Sequence, residues 1–203
     1  MARWKSELPS KEELHLQKKE KIIHEAALQF SQNGYLGTNL LSIAKTLGVT
    51  KTALYYYFKD KPTLLHACMQ TALKGVLELR DSFNQEQTNT GYQKLQGFLE
   101  SYITLVIKNN FQFLMFFDID QLKPEHLSEI QGYRDEFDAG VRSLILEGIG
   151  DGSLQDGNPK IMSLTILGAV NWIARWFRLD GELSIEEVAK EVISTSLRGL
   201  QSR

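Results

Sequence analysis

The chain has 203 residues, of which 42% are hydrophobic and 24% charged, and its net charge is −2. This composition is ordinary for a folded globular protein and excludes wholesale disorder. The single cysteine, Cys68, excludes an internal disulfide and suits a reducing compartment. The first residues lack a signal-peptide pattern, and no stretch approaches the roughly 20 apolar residues of a membrane span. We therefore expect a cytoplasmic protein without a membrane partner.

Positive charge is concentrated in the first third of the chain. Residues 1–65 contain ten Lys/Arg and six Asp/Glu, a net charge of +4, whereas the remainder contains 13 and 19, a net charge of −6. This asymmetry is expected when only one end of a protein meets nucleic acid. It also arises by chance in other proteins, so it supports a nucleic-acid partner without establishing one.

Helical periodicity extends along nearly the whole chain, and the alternating pattern of β-strands is absent. The spacing predicts a first helix over 18–33 that ends at Gly34, a second capped by Thr38, and a third over 51–58 capped by Thr50. Further helices are predicted over 62–83, 91–108, 111–117, 124–148 and 159–178, and from a capping box at Ser184 onwards. We therefore expect an all-α protein in which a three-helix unit precedes a larger helical body.

Residues 38–61 are the most informative stretch for function. They predict two short helices joined by a tight turn at Gly48, which is the pattern of a helix-turn-helix motif. On the second helix Leu54 and Phe58 fall on the inner side, because residues three or four apart share a helix face. The opposite side carries a cation, a hydroxyl group and two phenols: Lys51, Thr52, Tyr55 and Tyr56. A merely solvated helical hairpin is the alternative, although adjacent tyrosines are unusual on such a face.

The positions of these side chains predict different roles on DNA. Lys51 and Thr52 lie at the N-terminal end of their helix, where a recognition helix usually reaches base edges in the major groove. Tyr56 is placed for a thymine methyl group or a phosphate. Contacts with phosphate oxygens are expected from Thr50, Tyr55 and Lys61.

Residues 22–65 resemble the N-terminal domain of the TetR family of bacterial transcriptional regulators. The matching residues are Ile23, Ala26, Ala27, Phe30, Gly34, Thr38, Ile43, Ala44, Gly48, Val49, Leu54, Tyr55, Phe58, Lys61 and Leu64. The resemblance implies that phosphates are held by Thr38, Thr50, Tyr55 and Lys61, and that the sequence is read by Lys51, Thr52 and Tyr56. Thr52 departs from the glycine or proline that many members carry there, which leaves the base preference open.

The resemblance implies a helix-turn-helix DNA-binding domain over 1–61 and an effector-binding and dimerisation domain over 62–203. Its expected function is that of a ligand-responsive repressor, released from a palindromic operator by a small hydrophobic effector. Segment 171–181 is similar to members that govern lipid or fatty-acid metabolism, which implies an acyl or acyl-CoA effector. On the residues alone plain core packing is favoured for the bulky apolar side chains of the body, although they also suit a ligand pocket, and the resemblance implies the pocket: Tyr102, Leu105, Val106, Phe113, Phe116, Phe117 and Trp172.

In TetR-like proteins the last two helices pack against their copies as a four-helix bundle. The apolar stripes of the corresponding helices are therefore the expected homodimer interface: Ile166, Val170, Ile173, Trp176, Val188 and Val192. A two-fold dimer would place two recognition helices one helical turn apart on a palindrome.

Residues 3–21 interleave basic residues with glutamates. A basic arm on DNA is one interpretation of this segment, and a solvated helical face is the favoured one.

No pattern in the sequence indicates a catalytic site. The four histidines are scattered, and there is no phosphate-binding glycine loop and no nucleophile elbow. We expect no enzyme, no metal and no cofactor. Two other functions stay open: a DNA-binding protein without an effector, and a helical lipid-binding module that has lost affinity for DNA.

Overall fold

The computed structural model describes residues 10–85, 89–112 and 119–199, and within these ranges it contains α-helices and no β-strand. The helices are α1 (Lys11–Gly37), α2 (Leu40–Thr46), α3 (Lys51–Tyr57), α4 (Lys61–Asn84), α5 (Gly91–Lys108), α6 (Pro124–Gly150), α7 (Pro159–Trp176) and α8 (Ile185–Arg198). The predicted all-α class is confirmed. Most of the predicted helix at 111–117 lies outside the described residues.

The first helix begins seven residues earlier than the sequence predicted. Ser10 and Glu13 form a capping box: the Glu13 amide donates to Ser10 Oγ at 3.1 Å, and the Ser10 amide donates to Glu13 Oε2 at 2.6 Å. Near the other end Gly34 has a φ of 69°, a left-handed conformation that only glycine adopts without strain. α1 is therefore a long helix with a kink before its last turn.

Side-chain caps set the remaining boundaries of the N-terminal helices. Asn39, rather than the predicted Thr38, caps α2 by accepting the Ser42 amide at 2.8 Å. Thr50 caps α3 as predicted. Asp60 caps α4, so this helix starts just before Pro62.

One hydrophobic core runs through the whole described chain, from Ile22 in α1 to Leu197 in α8. α4 joins its two ends, because this helix packs against α1 as well as against α5 and α6. Cys68 of α4 is fully buried, and its thiol donates to the Ile23 carbonyl oxygen at 3.5 Å. Burial raises the pKa of this thiol, as expected of a packed residue rather than a redox sensor.

The start of α5 passes very close to the end of α6. A Cβ atom placed on Gly91 would lie 2.1 Å from the backbone nitrogen of Gly148. The Gly91 amide donates to Asp151 Oδ2 at 2.7 Å, directly after α6. The two helices can approach this closely only because Gly91 has no side chain, whereas the space beside Gly148 is occupied by the side chain of Leu154.

A membrane span requires a long helix that is apolar over most of its length. Among the described residues no helix is both long and apolar enough to cross a membrane.

Candidate nucleic-acid interface and body cavity

The helix-turn-helix unit is held from behind by a small apolar cluster. Gly48 adopts a φ of 65° in the turn between α2 and α3, as predicted. Leu54 of α3 and Phe58, directly after α3, are buried, and they join Ile43 and Ala44 of α2 in the core. This packing fixes the angle between the two helices and determines which side of α3 faces outwards.

The outward side of α3 is open. Lys51 and Thr52 are exposed at its first turn, and the side chains of Tyr55 and Tyr56 are 40% and 75% exposed. Lys51 Nζ lies 5.4 Å from the centre of the Tyr55 ring, a cation–π contact that leaves the ammonium group in solvent. The cation, the hydroxyl group and the phenols thus lie together on one surface, which we call the α3 face. The hydroxyl group of Thr50 adjoins it, and accepts from the Ala53 amide at 3.1 Å.

Thr38 lies elsewhere, and its expected phosphate contact is wrong for this arrangement. The residue is 1% exposed, so its hydroxyl group cannot reach a phosphate. The hydroxyl oxygen lies 2.9 Å from the Gln29 carbonyl oxygen and 2.8 Å from that of Gly34. The hydroxyl group therefore donates its single hydrogen to one or the other of these backbone carbonyl oxygens, inside the kinked end of α1.

Lys61 is also engaged within the protein, and its expected phosphate contact stays a prediction. Its ammonium group donates to the carbonyl oxygens of Tyr35 and Thr38, at 2.8 Å and 2.9 Å. It lies 4.1 Å from the centre of the Tyr35 ring. Partial burial lowers the pKa of Lys61. Lys61 thus ties the end of α1 to the start of α4. The break in α1 at Gly34 leaves carbonyl oxygens without helical partners, and it was the feature of the sequence that could have indicated an internal acceptor for Lys61.

Replacing Lys61 with alanine should lower the free energy of unfolding by about 2 kcal/mol, because two partly buried carbonyl oxygens lose their donor. Thermal denaturation measures the change. Lys59→Ala is the matched control, since Lys59 is exposed two residues earlier. Equal melting temperatures for the two variants would contradict the internal role.

Gln29, which no pattern in the sequence indicated, links α1 to α2. Its side chain is buried and donates to Glu25 Oε1 at 2.7 Å and to Thr46 Oγ1 at 3.3 Å. Its amide oxygen accepts from the Ser42 hydroxyl group at 2.6 Å. A buried glutamine in a helix must find such partners, but no local pattern names them in advance.

Polar contacts tie α4 to α6. Lys123, directly before α6, lies with its Nζ 2.7 Å from Asp60 Oδ2 at the start of α4. Further along the two helices, Glu129 accepts from Gln70 at 2.6 Å, and His66 Nε2 lies 2.8 Å from the other carboxylate oxygen. The helix that carries the N-terminal unit is therefore linked to a helix of the body.

The pH dependence of stability should reveal the ion pair of Asp60. Burial opposes ionisation of this carboxyl group, but hydrogen bonds from Lys123 and Thr63 outweigh it and lower the pKa to about 2. A depressed folded-state pKa stabilises the protein above the ordinary aspartate range, and this contribution is lost as the pH falls towards 2. Asp60→Asn, which can still cap α4, should melt earlier than wild type at pH 7, and the gap should close between about pH 4 and pH 2. A gap that is constant across this range would contradict the ion pair.

The body contains a cavity of about 310 Å³ between α4, α5, α6 and α7. Its lining consists of Leu73, Val76, Tyr102, Val106, Gln131, Arg134, Asp135, Phe137, Asp138, Leu167 and Asn171. Apolar side chains come from all four helices, and the charged groups all lie on α6. The Tyr102 hydroxyl group donates to Asn171 Oδ1 at 3.0 Å. Burial, and then the charge of Asp138, raise the pKa of Tyr102, so this phenol stays protonated.

The expected pocket residues separate into four groups. Tyr102 and Val106 line the cavity. Leu105 borders a different cleft between α5 and α8. Trp172 is 59% exposed on the outer side of α7, so its assignment to the pocket is wrong. The remaining expected residues, Phe113, Phe116 and Phe117, lie outside the described residues.

Most residues that were expected at the dimer interface are buried in the core of the chain itself, so their assignment to the interface is wrong. The buried members are Ile166, Val170, Ile173 and Val188. Val192 is half-buried, and Trp176 is 47% exposed. α7 has a second apolar side with four exposed large side chains: Ile161, Leu164, Trp172 and Trp176. Of these four residues, the expected interface included only Trp176. We call this second side the α7 outer face.

A helix-turn-helix unit with an open basic and phenolic face, joined by a long helix to a body with a cavity, is the architecture of a DNA-binding regulator. The tetR family of bacterial regulatory proteins matches residues 22–68. The tetracyclin repressor-like C-terminal domain matches residues 88–200, more than half of the chain. The chain belongs to the TetR family, and it is therefore a DNA-binding transcriptional regulator.

Individual relatives agree with this assignment. The repressor KstR2 of Rhodococcus jostii is 26% identical over 185 residues, which are 87% of this chain and 88% of the relative. The TetR family regulator PfmR of Thermus thermophilus superposes with a TM-score of 0.79 at 29% identity, over 89% of this chain and 98% of PfmR. AibR, solved with isovaleryl coenzyme A and operator DNA, shares the fold with a TM-score of 0.77 at 22% identity, over 88% of this chain and 97% of AibR.

Proposed function

We propose that the protein is a homodimeric repressor that binds a palindromic operator through α3 and is released by a small effector in the body cavity. The observation that carries the proposal is the open α3 face, which presents Lys51, Thr52, Tyr55 and Tyr56 while Leu54 anchors the helix from behind. KstR2, a relative of similar length, is a repressor. This relationship favours repression over activation.

The division of roles on DNA follows from the positions of the groups. Lys51 and Thr52 lie at the first turn of α3 and would reach base edges in the major groove. Tyr55 and Thr50 would donate hydrogen bonds to phosphate oxygens. Tyr56, the most exposed of the phenols, would contact a thymine methyl group or a phosphate. Thr38 and Lys61 would act indirectly, because their polar groups hold the helices of the unit together.

The α7 outer face is the proposed dimer interface. A two-fold axis at this face would bury the exposed tryptophans against their copies and set the distance between the two α3 helices. Leu164→Asp should therefore produce monomers in sedimentation equilibrium, because it places a charge in an apolar contact. The same substitution at exposed Leu146 of α6 should leave a dimer. Monomers from both variants, or from neither, would rule out this face.

The proposed effector has an apolar body, and an acyl group or the acyl part of an acyl-CoA is the preferred candidate. A cavity of about 310 Å³ is at the small end of ligand sites, so it would hold the acyl part and leave a coenzyme outside. The AibR complex with isovaleryl coenzyme A supports this class. The hydrogen-bonded pair of Tyr102 and Asn171 would give a polar effector group its partners.

Release from DNA would follow from unequal binding to two conformations. α6 lines the cavity and also holds α4 through Lys123 and Glu129. An effector that prefers one position of α6 would shift α4, and with it the distance between the two α3 helices. The coupling is reciprocal, so operator DNA would weaken effector binding by the same factor.

Selection of bound fragments from the host genome tests the operator. The selected fragments should be palindromic, and the affinity should fall steeply with salt, since each phosphate contact adds about 0.9 to the slope of log affinity against log salt. If no fragment binds in a salt-dependent way, the remaining function is that of a helical lipid-binding module.

A variant pair tests the effector site. Acyl-CoAs of increasing chain length should raise the melting temperature and release the operator fragment. Asn171→Trp narrows the cavity and should abolish release while leaving DNA binding intact. Leu105→Trp, beside the other cleft, should respond like wild type. Operator binding that no acyl compound affects would favour a regulator without this effector.

A further inference from the structure

The part of α1 that precedes the family match contacts the recognition helix. The match begins at residue 22, whereas α1 begins at Lys11. Along residues 11–21 every side chain is exposed except that of His15, which is half-buried. The ring contacts of His15 are with α3, so these residues do more than continue a solvated helix.

His15 packs against two aromatic rings of α3. Its imidazole lies 4.7 Å from the centre of the Tyr57 ring, inclined at 31°. It also meets the Tyr56 ring edge-on, with centres 5.8 Å apart and an angle of 86°. Tyr56 and Tyr57 themselves form an edge-to-face pair at 5.2 Å. The three rings therefore form one cluster in which each member contacts the other two, and we call it the aromatic triad.

The described ring contacts of Tyr56 both lie within this cluster. Its ring is 75% exposed, and it borders a largely apolar groove of about 330 Å³ between α1 and α3. Beside such a groove, an unsupported tyrosine would change rotamers freely, and DNA binding would then cost the entropy of ordering it. Tyr57 is packed against the core and gives the triad a fixed base. His15 closes the triad from the side of α1.

We propose that His15 is a positioning residue for DNA recognition, which holds the Tyr56 ring in its reading orientation through aromatic contact. This rests on the proposed function of the α3 face. The imidazole acts through Tyr56 and does not itself contact the duplex. The ring of His15 matters, and its capacity to carry a proton does not.

Operator affinity tests the proposal with three variants of α1. His15→Ala should weaken binding about tenfold, because each of the two protomers loses an aromatic pair. His15→Phe keeps a ring without a titratable group and should restore most of the affinity. His24→Ala, at an exposed position on the same helix, should bind like wild type. Equally weakened binding in His15→Ala and His15→Phe would overturn the proposal.

A double-mutant cycle and the salt dependence separate positioning from direct contact. In a Tyr56→Ala background His15→Ala should have no further effect, because the ring that it orients is absent. The salt slope of His15→Ala should equal that of wild type. A slope reduced by about 2 would mean that each protomer had given up one phosphate contact. That result would show that His15 binds DNA as a cation, and it would overturn the proposal.

A measurement on the free protein keeps this inference distinct from the proposed function. With 3-fluorotyrosine incorporated, the Tyr56 signal can be assigned by its disappearance in Tyr56→Phe. His15→Ala should shift and narrow that ¹⁹F signal, and His24→Ala should not. An unchanged signal would refute the positioning even if DNA binds. A shifted signal in a protein that selects no DNA would leave the triad standing and remove the proposed function.

Discussion

Replacing Lys51 with glutamate should lower operator affinity at least about 100-fold at physiological salt. A well-placed contact with a base edge contributes about 1–3 kcal/mol, and a two-fold dimer loses two of them. The introduced carboxylate would in addition repel the phosphates. Lys51 is exposed at the first position of α3, and its only described contact is with Tyr55, so the fold should not change.

Gel-shift titration and thermal denaturation measure the two parts of this prediction. Lys160→Glu, at an exposed position at the start of α7, changes the net charge equally and should leave affinity within about twofold. Thr52→Ala should instead alter which bases are preferred, since a hydroxyl group at this turn can read a base edge. If Lys51→Glu binds like the Lys160 variant, the α3 face does not read DNA.

Replacing Gly91 with alanine should lower the free energy of unfolding by about 3 kcal/mol or more. The added Cβ would lie 2.1 Å from the nitrogen and 2.4 Å from the Cα atom of Gly148, and backbone atoms cannot turn aside as a flexible side chain can. α5 and α6 would have to separate, which would also strain the hydrogen bond from the Gly91 amide to Asp151. Both helices line the cavity, so effector binding should weaken as well.

Chemical denaturation measures the stability of this variant against a second glycine of the body. Gly132 lies within α6 with no atom close to the position of a Cβ. Gly132→Ala should therefore stabilise the protein by about 0.5–1 kcal/mol, because alanine favours the helix. A Gly91→Ala protein as stable as wild type would mean that the two backbones are further apart than described.

The fold and the α3 face were predictable because their causes are local. Helical spacing, the turn at Gly48 and the cap at Thr50 each depend on residues a few positions apart. The face of a short helix follows from the same spacing, which is why Lys51 and Tyr56 were correctly expected to be exposed.

The errors concern contacts between distant parts of the chain. Thr38 has a hydroxyl group that suits a phosphate, but the kinked end of α1 buries it beside carbonyl oxygens that are closer. On α7 two apolar sides compete for the core, and spacing alone cannot decide between Ile166 and Trp172. Only the packing of α7 against its neighbours settles which side is buried.

The continuous core through α4 affects how regulators of this kind can be recombined. The buried side chains of α4, from Leu64 to Arg80, pack against both the helix-turn-helix unit and the helical body. A hybrid of two regulators joined after residue 61 would combine the helix-turn-helix unit of one protein with the α4 of another. The packing surfaces of these two parts have not evolved together. A junction in the segment after Asn84 would transfer the helix-turn-helix unit together with its own α4. The hybrid would then keep the DNA sequence preference of the donor. Only the contacts between α4 and the new effector-binding body would need to be redesigned.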